Sequence, residues 1–277
     1  MTEVTKQQAK LLGYKNIKSW GFNVSKQLLI YTRAQAVNSQ RHREWSVKAG
    51  DNYAFAKDVN SMPLTGVEFV AAASEYPIVF AGEPGKIMPL VVMGVRDQEN
   101  LYIDADGKLD AQYVPAFLRR YPFVFSSQDD GKNFTLCIDE TFDGCNQDNV
   151  GERLFDAEGE KTQYLNSVLE FLKEYQLHFT RTQAFCKKLE ELELLEPMGA
   201  QFTPAGSDQK ITLTGFSAIN RQKLKALPAQ ELEQLVKNDG MELIFLHLQS
   251  LRNFNVMLGK VGVEEPSAEQ EDAVVVE

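Results

Sequence analysis

Residues 162–196 read TQYLNSVLEFLKEYQLHFTRTQAFCKKLEELELLE. Leu165, Val168, Leu169, Leu172, Tyr175, Phe179, Phe185 and Leu189 recur at steps of three and four, which is the period of an amphipathic helix. Thr162 supplies an N-cap oxygen, and Pro197 is expected to end the run. The stretch is long for a globular helix, so there is room for a break near Thr180–Thr182. This segment divides the chain. The residues before it read mainly as strands and turns, and the residues after it read mainly as helices.

On the N-terminal side, KQLLIY (Lys26–Tyr31) is a short β-prone run, and Asn38–Ser39 marks a turn. VEFVAAASEYPIVF (Val67–Phe80) reads either as a helical turn at the alanines followed by a strand or as two strand pieces, with Pro77 holding Tyr76 extended. MPLVVMGV (Met88–Val95) is continuously apolar, which suits a strand covered on both faces. ENLYID (Glu99–Asp104) reads as a further strand, and DADGKLD (Asp104–Asp110) as a turn. Asp104–Gly107 resembles the start of a calcium loop, but the later ligands are missing, so a plain Asp-Gly turn is expected. YVPAFLRRYPFVFS (Tyr113–Ser126) gives a short helix with Pro115 in its first turn, then a strand at Pro122. QDDGKN and FTLCID continue it as a hairpin. EYPIVF (Glu75–Phe80) and RYPFVF (Arg120–Phe125) echo each other, either as two similar strand starts lying side by side or by chance.

On the C-terminal side, QFTPAGSDQKITLTGFSAI (Gln201–Ile219) reads as a hairpin turning at Gly206–Asp208. In NRQKLKALPAQELEQLVKNDG, Asn220 caps one helix, Pro228 starts a second and Gly240 closes it. MELIFLHLQSLRNFNVML (Met241–Leu258) reads as a buried helix, or as a buried strand turning into helix. Strands first and helices after predict an α+β fold, with a mixed or antiparallel sheet from the N-terminal half packed with helices from the C-terminal half. The expected organisation is an N-terminal arm over 1–24, one domain over 25–260, and a disordered acidic tail over 261–277.

A 277-residue chain that is 43% hydrophobic can bury a large core without staples. Its net charge of −10 opposes binding to phosphate backbones, so nucleic acid is not an expected partner. Three cysteines, Cys137, Cys145 and Cys186, fit free thiols in a reducing compartment better than a disulfide scaffold or a zinc site. No secretory signal is legible at the N-terminus. No apolar run approaches the roughly 20 residues of a membrane-spanning helix, and a cytoplasmic location is the expectation.

The polar and aromatic residues concentrate in 42–82, HREWSVKAGDNYAFAKDVNSMPLTGVEFVAAASEYPIVFAG. Among the histidines, His178 and His247 sit in helical, apolar contexts and read as structural. His42 lies beside Arg41, Arg43 and Glu44, which suits either a surface ion pair or a functional role. HRE over 42–44 formally fits the HxE part of a two-histidine, one-carboxylate iron site. Asp129–Asp130 and Asp139–Glu140 read as solvated charge rather than as a glycosidase pair. Tyr53, Phe55, Phe69, Tyr76 and Phe80 suit a pocket lining or core filling, and the seventeen phenylalanines of the chain favour core. Arg252, in SLRNFN, needs a carboxylate or an anionic ligand if buried. No nucleotide-binding, nucleophile-elbow or zincin motif occurs.

HREWSVKAGDNYAFAKDVNSMPLTGVEF, EYPIVFAG, YVPAFLRRYPFVF, TLCIDE, GERLFD and LHLQSLRNF, in that order, resemble the bacterial SapC family over about residues 26–254. Members carry a surface-layer connection and a peptide-transport permease label, which conflicts with the lack of a spanning segment here. The resemblance also implies the company of tryptophan-halogenase-like and cupin-like oxygenase proteins and of outer-membrane receptors, and it carries over no catalytic residue. The chain departs from a minimal member by its N-terminal extension and acidic tail.

The leading expectation is therefore a soluble accessory or binding protein. It would recognise a peptide, small molecule or partner enzyme, with a halogenase-like or oxygenase-like protein as the partner the resemblance suggests. His42, Trp45, Asp51, Asn60, Tyr76 and Arg252 are the expected binding residues, with no metal and no cofactor. The rival readings are a non-haem-iron modifying enzyme built on His42 and Glu44, and a surface-layer component.

Overall fold

The computed structural model describes residues 29–50, 52–127, 133–202 and 211–261. The expected arm over 1–24, residues 26–28 of the first expected strand, Asp51, Asp129–Asp130, the Gly206–Asp208 turn and the acidic tail from residue 262 lie outside the described residues.

The fold is α+β with antiparallel sheets. Its central sheet holds five strands in the order β10-β11-β4-β5-β3. These are β3 (Ser61–Pro63), β4 (Ile78–Ala81), β5 (Met88–Val92), β10 (Leu195–Phe202) and β11 (Ile211–Ile219). A second sheet runs β1 (Ala34–Ala36), β7 (Thr135–Asp139), β6 (Phe123–Ser126). A small third sheet places β2 (Ser46–Val47) between β8 (Cys145–Asn146) and β9 (Glu152–Arg153). Short helices α1 (Ser39–His42), α2 (Phe69–Ala72) and α3 (Ala116–Arg119) punctuate this half. The C-terminal half supplies α4 (Gln163–Glu191), α5 (Arg221–Lys225), α6 (Ala229–Lys237), α7 (Gly240–Ser250) and α8 (Asn253–Lys260).

Helix α4 is the spine. Leu165 and Leu172 enter a cluster with Val47, Phe123, Ile138 and Leu154 under the small sheets. Further along, Tyr175 and Phe179 pack on Met88 and Ala116. Cys186 and Leu189 then join the main core around β4 and β5. The helix runs unbroken through 180–182, because Thr182 faces inward: its hydroxyl donates to the His178 carbonyl at 2.7 Å and accepts the Gly66 amide at 2.8 Å. Arg120 is buried between the rings of Phe117, Tyr175 and Tyr31, at 4.3, 5.0 and 5.7 Å from their centroids. Aromatic faces are a favourable seat for a cation.

Several local expectations are corrected. Leu29–Ile30 form a turn, not the end of a strand. Asn38 caps α1, its side chain accepting the Arg41 amide at 2.9 Å. ENLYID is not a strand. Asn100 Oδ1 takes the Tyr102 amide and Asp104 Oδ1 takes those of Asp106 and Lys108, so side chains capture the donors a ladder would need. Helix α4 stops before Pro197, at a turn with Glu193 left-handed (φ 52°). There the Leu194 amide reaches the Leu189 carbonyl, and the Glu193 amide that of Glu190, in a Schellman arrangement. Pro197 sits instead in β10, a strand at the edge of its sheet. Asp239 (φ 59°) makes the turn after α6, and Gly240 opens α7 rather than closing α6. The two echoing strand starts, β4 and β6, lie in different sheets and not side by side.

Candidate functional site: a buried carboxylate beside a cleft

Strand β7 ends in Asp139, with Glu140 next to it, and both carboxylates are buried rather than solvated. Asp139 accepts the amides of Thr32 (2.6 Å), Arg33 (3.1 Å) and Thr141 (3.0 Å) and the Thr141 hydroxyl (2.7 Å). Burial alone raises its pKa, but these hydrogen bonds outweigh that and hold the carboxyl below its ordinary range. Glu140 gathers three cationic or ionisable groups. Arg41 grips it with Nε and with Nη2 (2.7 Å to Oε2), Arg33 Nη2 lies 3.2 Å from Oε2, and His42 Nε2 lies 3.3 Å from Oε1. The Arg41 hydrogen bond, working against burial, is the main cause of a depressed Glu140 pKa. The Arg41 charge, the His42 hydrogen bond and the Arg33 charge add to it.

His42 is fully buried, not a surface histidine. The Asn38 cap starts α1, and one turn later His42 points back onto β7. Its Nε2–H donates to Glu140, and its Nδ1 accepts the Asn38 amide at 3.3 Å. Trp45 closes the ring edge-on at 5.0 Å and is half-buried. Glu44 turns the other way and pairs with Arg153 at 3.1 Å. Both ring nitrogens of His247 are held by the Ile78 and Ile219 backbone. Among the described residues no three His, Cys, Asp or Glu side chains converge as metal ligands. The donor set of a two-histidine, one-carboxylate iron site is therefore not assembled around His42 and Glu44.

Beside this network opens a cleft of about 640 Å³. Val37, Leu136, Phe155, Leu165 and Leu169 give it an apolar floor, and Asn38, Ser39, Glu160, Lys161 and Asn166 line it with polar groups. Its walls are the β1–α1 corner, the first turns of α4 and the 155–161 loop. That loop is shaped by Asp156, whose Oδ1 accepts the Glu158 and Glu160 amides at 3.1 and 2.8 Å. The wall at Asn38–Ser39 is fixed because Asn38 both caps α1 and donates to His42.

The remaining expected site residues are dispersed. Asn60 donates to the Arg96 carbonyl (3.1 Å) and borders a separate apolar slot of about 40 Å³ with Val79, Leu90, Val92 and Gly215. That slot has room for little more than a water-sized group. Tyr76 is completely buried, its hydroxyl on the Tyr113 carbonyl at 2.7 Å. Arg252 is exposed between α7 and α8, so the condition that it be buried does not hold. Asp51 lies outside the described residues. Neither Asn60 nor Tyr76 shares a hydrogen-bond partner with His42. Sequence reasoning missed Glu140, Arg33 and the cleft residues on α4. Glu140 and His42 are 98 residues apart, and in the sequence only the TLCIDE motif marks that strand end.

All three cysteines are free; burial pushes Cys145 up to about 12, helped by Asp139 and Glu140, and raises Cys137 as well. No helix among the described residues is long and apolar enough to cross a membrane. A family model described as SapC matches residues 37–257. No curated protein and no solved structure matches the chain.

Proposed function

The chain belongs to the SapC family, and from that premise we propose that it is a soluble, cytoplasmic accessory protein. In this reading residues 25–260 act as one domain that binds a segment of a partner enzyme of halogenase-like or oxygenase-like type. The segment lies in the cleft between the β1–α1 corner and α4. The observation that carries the reading is the cleft itself: an apolar floor with a polar rim suits a peptide that has alternating apolar and polar side chains. His42 and Trp45 are positioning residues in this account. They hold the Asn38–Ser39 wall from behind, through Glu140, and do not touch the ligand.

Affinity capture from the producing cell, with mass spectrometry of the retained proteins, tests the reading. Wild type and a Val236→Arg control are expected to retain the same enzyme. Leu169→Arg, which places a charge on the cleft floor, is expected to lose it, and His42→Ala to weaken it. Retention by Leu169→Arg at the wild-type level would remove the cleft from the account.

A further inference from the structure

Strands β4 and β11 share a single registered pair, Ser217 with Phe80. Continuing that register, Ile219 faces Ile78, but there an imidazole replaces the ladder. His247, fully buried on α7, accepts the Ile219 amide on Nε2 at 3.1 Å and donates from Nδ1 to the Ile78 carbonyl at 2.8 Å. Ser250, one turn on, accepts the Ile78 amide at 2.9 Å and donates to the His247 carbonyl at 2.7 Å. The His247 ring also packs 4.9 Å from the Phe80 ring. One neutral tautomer thus does the work of a rung between two strands.

We propose that His247 is an acid-sensitive latch that holds the β10–β11 hairpin to β4 and releases it on protonation. An imidazolium carries N–H on both nitrogens, so Nε2 would meet the Ile219 amide donor to donor, with a charge buried in an apolar seam. Among the described residues packed around it, none offers a free counter-charge. Strands β4 (IVFA) and β11 (ITLTGFSAI) and helix α2 (FVAA) contain no ionisable side chain. On α6, Glu231 is paired with Lys188 of α4, and Glu233 with Lys237. Glu68, next to α2, is bonded by Thr65, Tyr113 and Ala116, and Glu242 of α7 is exposed.

The electrostatics agree with the geometry. Burial pushes the His247 pKa down from 6.5 to about 4, against the opposing pull of the Ile78 hydrogen bond. A folded-state pKa below the unfolded one means the attachment is intact above 6.5 and weakens as pH falls from there towards about 4. The latch does not depend on the proposed binding role.

Amide hydrogen exchange, corrected for intrinsic rates, reads it directly. Protection of the Ile219 amide and its β10–β11 neighbours is expected to fall about tenfold per pH unit between 6.5 and about 4, while β6–β7 keeps its protection. His247→Gln retains a neutral donor and acceptor and is expected to remove that slope. Equal pH responses in the two hairpins, a global loss included, would overturn the latch, as would an unchanged slope in His247→Gln. Should that variant fail to fold, ring ¹⁵N shifts of the wild type decide. The latch requires a neutral Nδ1–H ring whose protonation coincides with loss of β10–β11 protection. A ring that protonates near 6.5 with the hairpin still protected would end it.

Discussion

Glu68→Ala is expected to lower the free energy of unfolding by about 4 kcal/mol. The carboxylate is buried and accepts four hydrogen bonds. Oε2 takes the Thr65 amide and hydroxyl, both at 2.8 Å, closing a capping box on the turn 66–68. Oε1 takes the Tyr113 hydroxyl at 2.8 Å and the Ala116 amide at 2.7 Å, tying that turn to the start of α3. Truncation strands several buried donors at once, and each stranded donor costs about 1–3 kcal/mol where water cannot replace the acceptor. Glu68→Gln should recover part of the loss, since its one carbonyl oxygen can serve one side of the network. Chemical denaturation measures both variants. A loss below about 1 kcal/mol for the alanine variant would mean that water enters and the network is not what joins these segments.

Tyr76→Ala is expected to cost a similar amount, about 4 kcal/mol, for a different reason. The residue is fully buried, its ring lies 4.9 Å from that of Tyr102, and its carbonyl accepts from Asn253 on α8 at 3.1 Å. Removing the ring leaves a cavity at the point where the N-terminal sheet meets the C-terminal helices. Tyr76→Phe keeps the volume and loses only the bond to the Tyr113 carbonyl, so about 1 kcal/mol is expected. If Tyr76 instead contacted a ligand, Tyr76→Phe would weaken partner capture at unchanged stability. The structure predicts the reverse pattern: stability changes and capture by the folded fraction does not.

The contrast between Tyr76 and His42 shows what the sequence could convey. Helix α4 was legible because its apolar residues repeat over 29 residues, and β5 because its apolar run is continuous. The end of α4 was not, because the left-handed position that stops it is filled by Glu193 rather than by glycine. His42 stood out from its charged neighbours, yet its partner Glu140 is distant in sequence and looked like an ordinary strand-end charge. Burial is a property of the fold: two acidic residues in TLCIDE carry no local mark that they will be enclosed. The cleft was illegible for the same reason, since β1, the 155–161 loop and the start of α4 meet only in the folded chain. His247 read as structural from its apolar context. Its bridging of β4 and β11 depends on a contact across 169 residues to Ile78.

Site-specific photo-crosslinking in the producing cell tests the central claim most directly. A photoreactive residue at Asn166, on the cleft rim, is compared with one at Val236, an exposed position on α6. The account predicts a covalent adduct to one partner enzyme from position 166, lost when Leu169→Arg is added, and no such adduct from position 236. An adduct to that enzyme from 236 with none from 166 would contradict it.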